Sequence, residues 1–570
     1  MLQICSGKLF SKGVKYRNNL KGVIYTNLRI TRDKRLDTAV GSLWMTNNAN
    51  YSNAILFEFE ELIEDIHGEP NKKLSGEMIS HGIDNLILDF SSILSFFMNC
   101  TASPSHSITE RLLSDQIGVS THKIPKQVIN RVFDQAIYCQ ENDEELFKAF
   151  VKQLIGLKRK TFLAVMRAIQ TYVTGMQRVA DDLELSYTLI VASLESLAQN
   201  FDGYKSTWDH YDSKKKKAID EALCDADEEV SNKVKNAVLE GEHTALGSRF
   251  RRFTIENIAP SYFREEAKSV KSPISRFDLD VALKNAYLAR SKYVHQLNKL
   301  PKRLTFGGFS NETCFIDNKA WFTLQGLSRL ARHVIIQFIM KQDTVENEPY
   351  DYTDEQPNKI TLPMSPVYFL HLINLSDGMA GKIFEGLLLQ FEQGLMRTPN
   401  IEISNLSHII EHLQKGFNNL NKKDREIYLA IFIMYTSIDP ESVNREDFIH
   451  KYSSIIEKPS SASLVIHCLC IMSPNWSLST HYECLLNYFK ERDHKTNFRA
   501  PKSIESLIIL QLAELYRQSN DNAKVLQLLE MAVENYPDYE NLQQFEINYK
   551  AEACKINNFE ILFPEKDNTP

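Results

Sequence analysis

The sequence predicts a mainly α-helical protein that begins with a small β-rich domain, continues as a helical bundle and ends in a helical-repeat region. Near the N-terminus, β-branched and aromatic residues alternate with polar ones, whereas apolar residues further on recur at three- and four-residue spacing. Acidic residues and two prolines interrupt the helical pattern between residues 342 and 357. We therefore expect a β-rich domain with a closing helix (1–115), a helical bundle (116–341), an acidic linker (342–357) and an α-helical repeat-like region (358–570).

The N-terminal domain is predicted from runs of alternating polarity. Residues 22–32, 38–46 and 53–61 are rich in β-branched and aromatic side chains, and polar or charged segments separate them. This pattern is typical of short antiparallel strands. From Met78 the apolar period becomes helical, and the break at residues 101–105 ends the predicted closing helix.

The composition is that of a globular protein from a reducing compartment. Hydrophobic residues make up 43% of the chain and charged residues 24%, and the nine cysteines are scattered. The longest apolar run, residues 83–100, contains Asp84, Asn85 and Asp89, which favours a buried helix over a membrane span. Because the sequence shows no N-terminal signal segment, we expect a cytoplasmic protein with no membrane partner.

The C-terminal region is predicted to consist of helices, among them residues 366–393, 405–417 and 423–437. One tetratricopeptide-like unit of 34 residues, counted from Ser506, is matched by Ala513, Tyr516, Leu529, Ala532 and Pro537. Such units bury their apolar faces by stacking on neighbours, which predicts a TPR-like array. The array could recognise a protein trigger or regulator, or it could be plain helical packing, since repeat architecture reports shape and not ligand.

The residue types that carry chemistry lie together in residues 289–296, near the end of an amphipathic helix. Arg290 falls on an apolar stripe formed by Leu279, Leu283, Ala286, Tyr293 or Val294, and Leu297. A guanidinium at such a position cannot lose its proton, so it needs a carboxylate, a second subunit or a phosphate. His295 can transfer protons near neutral pH. Together the two side chains indicate cleavage of a phosphodiester without a metal.

Helical geometry separates the two side chains of this motif. At about 100° per residue, His295 lies about 140° around the helix from Arg290, so both reach one phosphate only if the helix distorts or a symmetry mate contributes. Ser291 and His295 are four residues apart and share a face, so the hydroxyl could orient the ring. The alternative is an arginine paired with an acid at a helix packing surface and a half-exposed histidine.

An earlier helix supplies a possible partner for Arg290. Its buried stripe is predicted to consist of Tyr187, Ile190, Leu194, Leu197 and Phe201, and Glu195 lies on the flank of that stripe. Glu195 is therefore positioned to be the acid that Arg290 requires. The alternative is a solvated glutamate on the edge of the helix.

Basic residues beside the motif are candidates for contact with RNA. The net charge of −7 argues against a protein that coats nucleic acid over its whole surface, so any such contact must be local. We expect Lys292, Lys299, Lys302 and Arg303 to bind the substrate backbone.

The chain from about residue 125 to 340 resembles a HEPN domain of the large, ApeA-like type. The resemblance rests on residues 193–197 (SLESL) of the earlier helix and residues 287–295 (YLARSKYVH) of the later one. It implies a helical bundle that acts as a homodimer, with Arg290, His295, Ser291 and Glu195 at the catalytic site. It also implies a metal-independent endoribonuclease in antiviral (anti-phage) defence, which leaves 2′,3′-cyclic phosphate ends.

Two other readings of the chain stay open: an inactive HEPN-like scaffold that binds RNA or a protein partner, and a helical-repeat adaptor. We expect no cofactor and no metal. The zinc-type residues His467, Cys468, Cys470, His481 and Cys484 lack the usual two-to-four-residue gap between cysteines and lie in an apolar helical stretch.

Overall fold

A computed structural model describes the chain except for residues 31–33, 46–53, 66–79, 117–123, 202–207, 209–210, 212, 242–245, 307–310, 357–359, 361, 372–377, 400–401, 439–445, 473, 495–496 and 565–570. The chain divides into two compact units, Met1–Thr361 and Leu362–Pro570. The prediction of a mainly helical protein with β-structure near its N-terminus is confirmed.

The strands of the N-terminal part are β1 (Val14–Thr26), β2 (Leu28–Arg29), β3 (Leu36–Asp37), β4 (Ser42–Met45), β5 (Ala54–Glu64), β6 (Ala102–Ser103) and β7 (Ile137–Tyr138). One antiparallel sheet has the order β3-β4-β5-β1-β6, and β2 pairs in parallel with β7. The long pair β1 and β5 is in register at Leu20 and Phe59. The predicted strands match β1, β4 and β5, and positions 32, 46 and 53 at their predicted ends lie outside the described residues.

The helices of the first unit are α1 (Leu2–Cys5), α2 (Asp84–Met98), α3 (His106–Leu113), α4 (Pro125–Val128), α5 (Glu141–Gly156), α6 (Arg159–Arg178), α7 (Leu183–Phe201), α8 (Ser213–Ala222), α9 (Glu228–Gly241), α10 (Leu246–Glu256), α11 (Leu279–Gln296), α12 (Lys302–Phe306) and α13 (Leu324–Met340). The hairpin strands β8 (Thr313–Ile316) and β9 (Lys319–Phe322) lie between α12 and α13, and short 3₁₀ turns span Pro260–Phe263 and Glu265–Ala267.

The closing helix α2 packs directly on the sheet. A Cβ on Gly22 of β1 would lie 2.5 Å from Ile87 Cδ1, so any other residue here would require the end of the Ile87 side chain to move. Phe57 of β5 stacks on Phe90 of α2 at a centroid distance of 4.3 Å. The predicted start of this helix at Met78 lies outside the described residues.

The predicted boundary near residue 115 does not separate two cores. A single apolar cluster contains residues from α1, the sheet, α2 and the later helices of this unit other than α8 and α9. Because α2 packs against both the sheet and α6, the predicted β-rich domain and helical bundle form one compact unit.

The predicted acidic linker is a packed segment. Tyr352 donates a hydrogen bond to Glu64 Oε2 at 2.7 Å, and Arg159, which is buried, pairs with Glu355. The backbone N–H of Arg159 also donates to Glu348 Oε2 at 2.6 Å. Charge density predicted an exposed linker or loop here, and Asp343, Glu346, Asp351 and Asp354 are exposed. Glu348 and Glu355, in contrast, attach the segment to Arg159 of the first unit.

The second unit consists of α14 (Ala380–Leu395), α15 (Ser407–Gly416), α16 (Lys422–Ile438), α17 (Glu446–Ile456), α18 (Ser461–Leu469), α19 (Leu478–Glu491), α20 (Lys502–Gln518), α21 (Asn522–Asn535), α22 (Glu540–Ala551) and α23 (Asn558–Leu562). The predicted helix 366–393 begins instead with a 3₁₀ turn, Pro366–His371, before α14. The helices α20 and α21 form the predicted helix-turn-helix, with Ala513, Leu529 and Ala532 buried. In neither unit does a described helix have both the length and the apolar character needed to cross a bilayer.

Candidate active site and the adjoining cationic cavity

The motif helix α11 is anchored along its first half. Leu279, Leu283 and Ala286 are buried, as the apolar stripe predicted, and the helix contacts α7, α10 and β9. Asn285 Nδ2 also donates a hydrogen bond to the carbonyl of Ala320 on β9 at 2.9 Å. These contacts fix the position of the last two turns, which carry the motif.

The predicted stripe does not stay buried to its end. Of the alternatives Tyr293 and Val294, Tyr293 is half-buried and Val294 is 48% exposed, and Leu297, also predicted on the stripe, is 76% exposed. The pattern was wrong here because α11 extends beyond the helices that cover its first half. Its C-terminal turns therefore present apolar side chains to solvent.

Arg290 and Glu195 form an ion pair between α11 and α7. Arg290 Nη2 lies 2.9 Å from Glu195 Oε2, and the side chains are 22% and 4% exposed, respectively. The contact is a close approach of charges and not an aligned hydrogen bond, and Arg290 Nε is buried with no hydrogen-bond partner among the residues that the structure describes. The guanidinium is therefore held at the surface by a buried acid while keeping donors that this acid does not use.

Burial dominates the electrostatics of Glu195. Loss of hydration raises the pKa of its carboxyl, and the opposing effects of Arg290 and of the Gln199 hydrogen bond, at 3.4 Å, are smaller. The negative charge of Glu195 is thus costly at this position, and Arg290 is the cation that compensates for part of that cost.

His295 lies at the exposed end of the same helix. α11 remains helical through Gln296, and Leu297 then adopts a left-handed conformation with φ of 54°. In this cap Leu297 N–H donates to Tyr293 O at 2.9 Å and Asn298 N–H to Lys292 O at 3.4 Å. Because the helix is not distorted before His295, the side chains of Arg290 and His295 leave it about 140° apart.

Ser291 is half-buried one residue after Arg290. Among the described residues, no hydrogen bond joins its hydroxyl to His295. The two residues still share a helix face. A single chain therefore brings Glu195 to Arg290 but does not bring Arg290 and His295 to one point.

A cavity of about 520 Å³ adjoins α11 on the side of His295. Its wall contains Lys292 and Lys299, both predicted to bind substrate, and it is completed by Lys319, Asp317 and Trp321 from the β8–β9 hairpin. Leu288, Ala289 and Asn285 form the helical side. Three ammonium groups and one carboxylate give the lining a net positive charge.

The other two predicted substrate-binding residues lie outside this lining. Lys302 is exposed on α12, and Arg303 Nη1 donates a hydrogen bond to the carbonyl of Phe315 at 2.7 Å. Arg303 thus contributes to the attachment of α12 to the hairpin, in addition to its surface charge.

The hairpin that completes the cavity was not anticipated. Asp317 and Asn318 both have positive φ, 48° and 58°, which is the backbone of a two-residue type I′ turn. Alternating apolar residues on either side of Asp-Asn are the signal that could have found it. The hairpin is fixed by Glu312, which is fully buried and accepts hydrogen bonds from Arg329 at 2.9 Å and Tyr262 at 2.7 Å.

One group in the first unit contains metal-ligand atom types: Cys5 Sγ, Glu61 Oε1 and His81 Nδ1. The His81 Nδ1 to Glu61 Oε1 distance of 2.7 Å is that of a hydrogen bond, whereas two ligands of one tetrahedral zinc lie about 3.3 Å apart. Burial, followed by repulsion from Glu61, raises the pKa of the Cys5 thiol to about 12. The group is therefore a hydrogen-bonded cluster that connects α1 to β5.

Comparison with family models, with curated proteins and with solved structures found no match to this chain.

Proposed function

We propose that this protein is a metal-independent endoribonuclease of the HEPN type that acts as a homodimer in the cytoplasm. The observation that carries the proposal is the position of Arg290, whose side chain is 22% exposed and lies 2.9 Å from the buried carboxylate of Glu195. His295 follows five residues later on the same regular helix. Residues 193–197 and 287–295, which carry the HEPN resemblance, are the segments that meet in this ion pair.

In the proposed reaction the RNA 2′-hydroxyl attacks the adjacent phosphorus. His295 accepts the proton of that hydroxyl, the same residue of a second copy donates a proton to the leaving 5′-oxygen, and Arg290 stabilises the charge on the phosphoryl oxygens. Glu195 positions Arg290, and Ser291 faces the ring of His295. The products carry a 2′,3′-cyclic phosphate and a 5′-hydroxyl, and the reaction needs no metal or cofactor.

The exposed end of α11 supports the dimer. Val294 and Leu297 are large apolar residues with substantial exposure at the end of the helix that carries the motif. Apolar side chains clustered beside a catalytic motif are typical of an interface. A second copy docked there would bring one Arg290 and one His295 together from opposite chains.

The antiviral role and a protein trigger bound by the TPR-like C-terminal helices also belong to this proposal.

The test is cleavage of structured RNA in EDTA by the full chain. The unsubstituted protein and His450→Ala, which removes an exposed histidine of α17, are expected to cleave and to leave cyclic phosphate ends. His295→Ala is expected to lose at least 100-fold in rate, the usual contribution of a general acid or base. Equal cleavage by His295→Ala, or a requirement for Mg²⁺, would contradict the proposal.

A catalytically inactive scaffold is the second candidate, and two observations favour it. Arg290 already has an acid within its own chain, and its side chain diverges from His295. For a scaffold, the purified protein would bind RNA or a protein partner without cutting RNA in the same EDTA assay.

A further inference from the structure

The cavity beside α11 combines three lysines with one tryptophan. Lys292, Lys299 and Lys319 line it together with Trp321, and Asp317 is its one acidic residue among those described. We propose that this cavity binds one unpaired nucleotide of an RNA strand, with the phosphate on the lysines and the base against Trp321. The inference deepens the proposed function and rests on it for the identity of the polymer.

The charge of the cavity selects an anion. Within the described part of the chain, none of the three lysines forms a salt bridge, although many other lysines of the protein do. Ammonium groups gathered without carboxylate partners repel one another, and a bound phosphate relieves that repulsion. Nucleic acid supplies such phosphates at a regular spacing.

Trp321 provides a fixed aromatic surface. It lies on β9 between Ala320 and Phe322, which are both buried, and it pairs across the hairpin with Cys314. The bond from Asn285 to Ala320 O attaches this strand to α11. A half-buried indole in a rigid strand can stack on a base without losing side-chain freedom, and base stacking on an aromatic residue contributes roughly 5- to 150-fold to affinity.

The shape of the cavity favours an unpaired base. In a duplex both faces of each base are occupied by stacked neighbours, so a protein aromatic residue reaches only bases that are splayed out. A volume of about 520 Å³ lies in the usual range for sites that enclose a small ligand. It accommodates one nucleotide, while the neighbouring nucleotides remain outside.

The position of the cavity relates it to the motif. Leu288, Lys292 and His295 follow one another at four- and three-residue spacing, so they lie along one side of α11. A nucleotide bound at Lys292 would direct the next phosphodiester towards His295. Arg290 leaves the opposite side of the helix, about 200° from Leu288, so the guanidinium for that phosphate would come from a second copy.

The experiment measures binding of a fluorescein-labelled single-stranded RNA to the full-length His295→Ala protein in EDTA, across a range of salt concentrations. Adding Trp321→Leu is expected to weaken binding at least 5-fold, and Trp321→Phe to weaken it less. Replacing Lys292, Lys299 and Lys319 together by Gln is expected to reduce the slope of log K against log salt by about 0.7, the value for one phosphate of a single strand. The control Lys152→Gln, an exposed lysine of α5, is expected to change neither quantity.

Two competitors define the ligand. An unlabelled duplex of the same sequence is expected to compete at least 10-fold less well than the single strand, and AMP to compete only at far higher concentration. Equal competition by the duplex would overturn the stacking of an unpaired base, and equal competition by AMP would overturn an RNA strand as the ligand. Unchanged binding by Trp321→Leu and by the lysine variant, each with an unchanged circular dichroism spectrum, would overturn the site itself.

This test is separable from that of the proposed function. Because the protein carries His295→Ala, binding is measured without cleavage. If the unsubstituted protein cleaves RNA, and Trp321→Leu and the lysine variant made in that protein cleave it at the same rate, the cavity site would be overturned and the nuclease would stand. RNA binding that depends on the cavity, in a protein that never cleaves, would support the site and overturn the nuclease.

Discussion

Arg290 of α11 lies 2.9 Å from Glu195 of α7, and the acid of this pair is almost fully buried while the base reaches solvent. Because Glu195 is buried in the core and Arg290 extends towards solvent, the carboxylate orients the guanidinium from its buried side. The same arrangement makes the pair sensitive to substitution, since each charge compensates for the other in a poorly hydrated place.

Arg290→Ala is expected to lower the free energy of unfolding by about 2 kcal/mol, because it leaves Glu195 buried without its cation. The loss is smaller than for a fully buried ion pair, because Arg290 is partly exposed. Adding Glu195→Gln is expected to restore part of the loss. Urea unfolding of both single variants and the double variant measures the coupling. Lys233→Ala, which breaks an exposed pair with Glu229, serves as the control and should have little effect. Additive effects of the two substitutions would contradict the coupling.

The contribution of Glu195 to stability should fall as pH rises. Burial raises the pKa of its carboxyl above the ordinary value of 4.5, so the folded protein holds the proton more tightly than the unfolded chain does. The contribution is complete below about pH 4.5 and is lost as pH passes through the raised pKa, whereas Glu195→Gln lacks this dependence. The difference in unfolding free energy, unsubstituted protein minus Glu195→Gln, should therefore decrease from pH 4.5 upward and then level off. A difference that increases with pH would show that Arg290 outweighs burial.

Leu297→Gly is expected to stabilise the folded chain by about 1 kcal/mol. Leu297 has φ of 54°, which is strained for a residue with a Cβ and free for glycine, and its side chain is largely exposed. Thermal unfolding at low protein concentration measures this gain. If the end of α11 lies in a dimer interface, the dimer of this variant should dissociate at higher protein concentrations than the dimer of the unsubstituted protein does. Sedimentation experiments measure this difference. Destabilisation at low concentration would contradict the strain argument.

Arg159→Met is expected to detach the segment after residue 341 from the rest of the first unit. Arg159 is buried, contacts Gln3 Oε1 at 3.3 Å and pairs with Glu355, so removing its charge leaves both without their donor. Limited proteolysis between residues 342 and 356 should become faster than in the unsubstituted protein. Lys158→Met, which changes the exposed neighbour, should leave the cleavage rate unchanged. Equal rates for the two variants would show that Arg159 does not hold the segment.

The second unit should lose stability in mild acid through His481. Burial first, then repulsion from His467, lowers the pKa of His481 from 6.5 to about 4. The neutral ring is favoured in the folded state, so stability is complete above pH 6.5 and falls by about 3 kcal/mol as pH decreases to 4. His481→Phe keeps an aromatic ring beside Trp476 and should not show this loss of stability between pH 6.5 and 4. Unfolding followed by Trp fluorescence at each pH measures the difference. His450→Gln, an exposed histidine, should behave as the unsubstituted protein does, and equal acid sensitivity of all three would contradict the burial effect.

Much of the candidate site could be predicted from local patterns. The period of apolar residues located α7 and α11, and the need of Arg290 for an acid led to Glu195, which the structure places within 2.9 Å. The periodic pattern failed at Leu297, because spacing reports which side of a helix is apolar and not whether another element covers it. The cavity was missed because four of its eleven lining residues come from a short hairpin. The strands of that hairpin are four residues each, too short for the alternation to stand out.

The sequence by itself determined the helices α7 and α11, the strands β1, β4 and β5 and the order of charged and titratable groups along α11, because these depend on residues a few positions apart. Only the tertiary structure decided that the N-terminal sheet and the helices share one core, that the acidic segment after residue 341 is packed against Arg159 and Glu64, and that Trp321 lies beside Lys292. The physical reason is distance along the chain: helical and strand periods arise from neighbouring residues, whereas burial, ion pairing and cavity walls depend on which remote side chains the folded backbone brings together.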